Sequence, residues 1–104
     1  MNEAQCLAYD PFAGDRDSDA RGLHDKFVHT RKPHTCVICW ENIPPRSRVR
    51  ALTEFSREER KAMTFYFCEL CCAAMAHVNN DDGKRLEERT RIGMKKAGSL
   101  PINA

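Results

Sequence analysis

Cys36-Val37-Ile38-Cys39 and, after 28 intervening residues, Cys68-Glu69-Leu70-Cys71 are the two stretches on which the fold turns. Each Cys-x-x-Cys pair puts two sulfurs on one turn of chain, and a single cation can gather both turns tetrahedrally through bonds of about 2.3 Å. The same spacing serves thioredoxin-like redox pairs, but those open a helix inside a βαβ unit. Two pairs without that surrounding pattern argue for a metal. The expected ion is Zn²⁺, one per chain, held by Cys36, Cys39, Cys68 and Cys71, with a redox or disulfide role and a rubredoxin-like or iron–sulfur site as the alternatives. Four thiolates leave no position for water, so the metal is expected to be structural. With no Ser/His/Asp spacing, glycine-rich phosphate loop or paired carboxylates in a recognisable setting, the chain is not expected to be an enzyme.

The flanks of the two pairs supply the elements. Ile43-Pro44-Pro45 reads as a turn, and Arg48-Val49-Arg50-Ala51-Leu52 alternates polar and apolar residues as a half-buried strand does. Thr64-Phe65-Tyr66-Phe67 is rich in strand formers and suits the second arm of a hairpin. Between them, Ser56-Arg57-Glu58-Glu59 has the form of a capping box and predicts one or two exposed helical turns. After Cys68, the residues Leu70, Ala73, Ala74, His77 and Val78 recur at helical spacing up to Asn79-Asn80. A second helix is expected from the Asp81-Asp82 cap, with Leu86, Thr90, Gly93, Met94 and Ala97 on its less polar stripe and Gly98 and Pro101 ending it.

Residues 1 to 30 show neither period and mix Asp, Gly, Ser and Arg around isolated apolar residues such as Leu7, Tyr9 and Phe12. They read as a poorly ordered arm. The expected organisation is an arm at 1–30, a metal-binding domain at 31–80, and a helix and tail at 81–104.

The remaining metal-competent side chains leave alternatives open. Cys72 lies four positions after Cys68 and could replace Cys71 on helical geometry, although the matched spacing favours Cys71 and makes Cys72 a small buried residue. Of His29, His34 and His77, His34 is the best substitute for a thiolate. Cys6 receives no role.

The bulk composition fits this reading. The chain has 104 residues, 31% of them charged and only eight aromatic, which suits one domain whose thin core needs a supplement. The first thirty residues carry six acidic and three basic groups and no apolar run, so neither a leader peptide nor a membrane span is expected there. Cysteine clusters without export signals point to a reducing cytoplasm. Residues 31 to 61 are the basic part, with eight cationic side chains against four acidic ones. Four thiolates around Zn²⁺ contribute −2, which cancels the formal net charge of +2.

The order of cysteine knuckle, β-hairpin, and helix with two ligands at its start resembles the treble-clef class of zinc fingers over residues 33 to about 80. That resemblance implies an α+β fold with Cys36, Cys39, Cys68 and Cys71 as ligands. The chain departs from it in having Trp40 where the knuckle usually places glycine. The stretch from Cys36 through Ile43-Pro44 to Arg46-Ser47-Arg48 looks like the zinc finger of the DksA/TraR family, which binds RNA polymerase. The long N-terminal coiled coil of that family has no counterpart here, and polymerase regulation does not carry over. The HNH nucleases share the treble clef, but their catalytic histidine has no counterpart in Thr64 to Phe67. Small one-domain proteins of this kind are similar to those of phages and prophages, and a phage-type regulator is one expectation.

Two functions follow as expectations. One is a protein-binding inhibitor or adaptor acting on a host nucleoprotein machine, with Trp40 as its aromatic anchor. The other is a nucleic-acid-binding finger that uses the basic segment 31–50, with Arg31, Lys32, Arg46, Arg48 and Arg50 on phosphates and Trp40 or Tyr66 stacked on a base. A patch diluted by Glu54, Glu58 and Glu59 predicts weak, salt-sensitive nucleic-acid binding and ranks the protein partner first.

Overall fold

The computed structural model of the chain describes residues 3–9, 20–56 and 59–99. It is a small α+β fold. A three-stranded antiparallel sheet in the order β1-β4-β5 is built from β1 (Ala20–His29), β4 (Arg48–Ser56) and β5 (Lys61–Phe67). A two-residue hairpin of β2 (His34–Thr35) and β3 (Asn42–Ile43) stands beside it, joined to β5 where the Val37 N–H donates to the Tyr66 carbonyl at 3.0 Å. The helices are α1 (Glu3–Ala8), α2 (Glu69–Ala76), α3 (Val78–Asp81) and α4 (Lys84–Ser99).

The expected hairpin forms and is longer than its alternation suggested. Ala51 pairs with Tyr66 and Leu52 with Phe65, and pairing continues to Ser56 opposite Lys61. That register makes Ser56 the last residue of β4 and Lys61 the first of β5, with Glu59-Arg60 in a turn, so the described residues of the expected helical turns are not helical. Of the capping box, Arg57 and Glu58 lie outside the described residues.

The expectation of a poorly ordered arm is corrected on both sides of residues 10–19, which lie outside the described residues and include Phe12. Ala20–His29 forms β1, which pairs with β4 from Ala20 opposite Ser56 to His29 opposite Arg48, with a register shift between Gly22 and His24. Glu3–Ala8 forms α1, which packs on α2 and buries Cys6 completely. Cys6 is therefore a core residue. It joins Leu52, Phe67, Cys72, Met75 and Leu86 in one of two buried clusters.

The second cluster surrounds the cysteine pairs, with Ile43 and Val49 packed against Cys36, Cys39, Cys68 and Cys71. The turn ahead of β4 is fixed by Thr30, whose Oγ1 donates to the Pro44 carbonyl at 2.9 Å and accepts from the Ser47 N–H at 3.0 Å. Pro45 and then Arg46, at φ 66°, supply the dihedral signs of the two central positions of a type II turn.

Both helical stripes differ from expectation in detail. In α2 the buried residues are Cys71, Cys72, Ala74, Met75 and Ala76, while Leu70 is 63% exposed, because the helix must turn its cysteines inward and Leu70 lies on the other side. In α4, Leu86 and Gly93 face inward, but Thr90 and Met94 are exposed.

Candidate metal centre

The first two sulfurs come from the β2–β3 hairpin. The Cys36 N–H donates to the Glu41 carbonyl at 2.9 Å and the Trp40 N–H to the Cys36 carbonyl at 3.0 Å, which curls Cys36 to Cys39 into a tight knuckle. Trp40 closes that knuckle at φ 63°, a left-handed conformation that bulky side chains rarely adopt. The indole stands where glycine would cost least.

The other two sulfurs come from the junction of β5 and α2. Cys68 caps the helix in extended conformation, and its Sγ accepts from the Cys71 N–H at 3.4 Å. Cys71 then lies in the first turn, where the free amide N–H groups and the positive end of the helix dipole favour thiolate charge.

Together the four sulfurs lie within 4.8 Å of one another and are buried. Cys36 Sγ is 3.7 Å from Cys71 Sγ, and Cys39 Sγ is 3.6 Å from Cys68 Sγ. A tetrahedron with metal–sulfur bonds of about 2.3 Å has edges of about 3.8 Å. The donor set therefore fits one tetrahedral ion, zinc being consistent with it. Four thiols packed this closely do not ionise independently. Hydrogen bonds from Cys68 and Cys71 favour a thiolate at Cys36 and hold its pKa well below the usual thiol range. The same bonds to Cys36 push Cys68 up to about 11 and push Cys71 up further, since each would become a second negative charge at the same place. A divalent cation at the centre removes that repulsion and favours all four thiolates.

Two residues outside the cysteine motifs complete the centre. The Arg89 Nη2 donates to Cys39 Sγ at 3.2 Å. Burial works against its charge, yet the hydrogen bonds to Cys71 and Cys39 raise its pKa. This guanidinium offsets part of the −2 that four thiolates and one Zn²⁺ leave. Gly93 is the second: a Cβ there would stand 1.8 Å from the Ile38 carbonyl oxygen and 3.1 Å from the Cys39 Cα, so α4 lies directly on the knuckle backbone. No cysteine spacing signals either residue. The glycine within a helical pattern was the one available clue to a close approach.

The alternative ligands lie elsewhere. Cys72 Sγ donates to the Phe67 carbonyl at 3.3 Å in the apolar cluster. His34 stacks on Tyr66 at 3.7 Å between ring centroids, His77 is the C-cap of α2, and His29 ends β1. The candidate binding arginines do not form a patch. Arg50 is 1% exposed: its Nε and Nη2 hold the Asp25 carboxylate at 2.8 and 2.7 Å, and its Nη1 donates to the Cys6 carbonyl at 2.8 Å. Arg48 makes a two-pronged pair with Glu3, at 2.6 and 2.9 Å, that holds the Glu3 carboxyl below its ordinary range. Arg46 is exposed on its turn, and Trp40 is 43% exposed beside the knuckle. Among the described residues, no helix is long and apolar enough to cross a membrane. Comparison with known proteins found no matching family model, no matching curated protein and no matching solved structure.

Proposed function

We propose that the chain is a non-enzymatic interaction module of treble-clef type, stabilised by one structural Zn²⁺ and acting on a nucleic-acid-handling machine. The observation that carries this reading is the buried, four-sulfur donor set, whose 3.6 and 3.7 Å edges match one tetrahedral ion. The order of knuckle, β4–β5 hairpin and α2 with Cys68 as its cap supports the treble-clef assignment. Zinc fits better than iron here because the role is to hold two turns together with no redox step, and zinc has none to offer. A closed thiolate shell gives the ion no coordination position for substrate, which supports a binding function.

Protein purified without added metal is expected to carry one zinc per chain by elemental analysis. Iron in its place, or no stoichiometric metal in folded protein, overturns the assignment. Trp40 is the aromatic anchor that this module offers a partner, and its strained, exposed position supports that role. Arg48 and Arg50 are set aside as contacts, since their guanidinium groups are engaged by Glu3 and Asp25.

A further inference from the structure

β4 is covered on one face by α1 and α2, which bury Arg50 and Leu52. Its other face carries Val49, Ala51 and Thr53. The knuckle closes over Val49, and beyond it the sheet opens into a groove of about 490 Å³ floored by Ala51 and Thr53. The register sets the walls: Lys26 of β1 and Tyr66 of β5 flank Ala51, and His24 and Thr64 flank Thr53. Lys26 and Tyr66 are thus two strand spacings apart, about 10 Å. The loop after β1 brings Arg31 and Lys32 to the same groove. Among the described residues no carboxylate lines it, and Lys26, Arg31 and Lys32 make no ion pair.

The far wall is aromatic. His34 lies on Tyr66 with ring centroids 3.7 Å apart and planes at 16°, and this stacked pair also lines a second groove of about 400 Å³ together with Trp40. The ring pair is therefore shared by two grooves, one lined by the cations and the other by an exposed indole. Trp40 holds that place at φ 63°, where glycine would be less strained.

We propose that this continuous face binds single-stranded nucleic acid, with phosphates on Lys26, Arg31 and Lys32 and bases stacked on the His34–Tyr66 pair and on Trp40. This rests on the reading of the chain as a metal-held binding module, because the knuckle places both His34 and Trp40. The occupant must be anionic along one side and present flat π faces along the other. A single strand does both, since its bases are free to leave the stack and its phosphates repeat beside them. An acidic peptide satisfies the cations and leaves the rings without flat partners, and a duplex keeps its bases inside.

The test uses the metal-loaded full chain and fluorescein-labelled 12-mers of oligo-dT and oligo-U, a hairpin duplex of the same length, and an acidic peptide, read by anisotropy at several salt concentrations. Single strands are expected to bind best, with a slope of log affinity against log salt near −2, as three phosphate contacts on a single strand require. Lys26→Ala, Arg31→Ala and Lys32→Ala together are expected to bring that slope close to zero. Trp40→Gly, which relieves the strained dihedral, is expected to keep or raise the melting temperature while weakening binding roughly fivefold or more. Arg91→Ala, on the exposed side of α4, is the charge control and leaves affinity unchanged.

Duplex or acidic peptide binding as tight as the single strand, or single-strand binding that survives the triple variant, overturns the proposal. So does zinc-loaded, cooperatively melting protein that binds no oligonucleotide. That last outcome leaves the zinc module standing, whereas folded protein without metal removes the module reading itself.

Discussion

Arg50 shows how far one side chain's role depends on what folds against it. Its guanidinium meets the Asp25 carboxylate, the Cys6 carbonyl and, at 3.3 Å, the Met75 sulfur, while Phe67 lies 5.6 Å below it. Arg50→Ala removes three charge-assisted bonds, two to Asp25 and one to the Cys6 carbonyl, and leaves Asp25, one-third exposed, partly rehydrated. The expected loss is about 2–4 kcal/mol in urea unfolding of the metal-loaded protein. Arg48→Ala breaks an exposed, solvent-screened pair and is expected to leave the urea midpoint nearly unchanged, so the two neighbouring arginines separate cleanly in one experiment. Arg89 acts on the metal centre instead. Arg89→Ala strips a donor from the Cys39 sulfur and is expected to weaken zinc retention by roughly tenfold in competition with a chromophoric chelator, with Arg89→Lys restoring part of it.

At the scale of elements, α4 is placed by the absence of a side chain. Gly93 lets the helix backbone reach the Ile38 carbonyl, and Ile92 packs beside it on the metal cluster. Gly93→Ala gains about 1 kcal/mol of helix propensity, but the new methyl would sit 1.8 Å from the Ile38 carbonyl oxygen, far inside van der Waals contact, so the helix or the knuckle must move. Overpacking of this kind costs typically 1–3 kcal/mol and more when the neighbour is backbone, so the variant is expected to melt lower than the parent. The two cysteine pairs and the β4–β5 hairpin were legible because their information is local: a fixed spacing, a run of strand formers. β1 was not legible. Its face toward α1 and α2 carries Asp25, which stands opposite Leu52 and reads as a surface residue until its pair with Arg50 diagonally across the register is known, and the register shift at Gly22/His24 breaks the alternation that marks a strand. α1 escaped for a similar reason. Six residues cannot hold a helix alone, and the packing of Cys6 against α2 and the Arg50 bond to the Cys6 carbonyl account for its place. In α2 the sequence pattern favoured Leu70 as an inward residue, but the buried cysteines set which way the helix faces.

The whole molecule has two small cores that share α2: an apolar one around Phe67, Met75 and Leu86, and a sulfur one around the candidate metal. Cys71 belongs to the second and its neighbour Cys72 to the first, so loss of order in one reaches the other within a single turn of helix. Structural zinc is worth on the order of 10 kcal/mol of apparent binding in comparable sites, against about 5–15 kcal/mol for the net stability of a whole domain. Removing the metal is therefore expected to abolish the cooperative melt rather than lower it slightly. Acid acts through the same linkage. The thiol of Cys68, pushed up to about 11, and that of Cys71, pushed up further, bind protons readily, and the cation must displace those protons to be held. Each proton regained competes with the ion, so metal affinity falls as pH falls and the stability it carries is lost in the same direction. Circular dichroism melts under reducing conditions, run from pH 8 down to pH 5 with and without a strong chelator, test this together. The expected result is a single transition at pH 8 that moves to lower temperature with each step of acid, disappears with chelator, and returns when stoichiometric zinc is added back. A transition that is unchanged by chelator in protein shown to be metal-free would mean that the apolar core holds the fold alone and that the four cysteines serve another purpose.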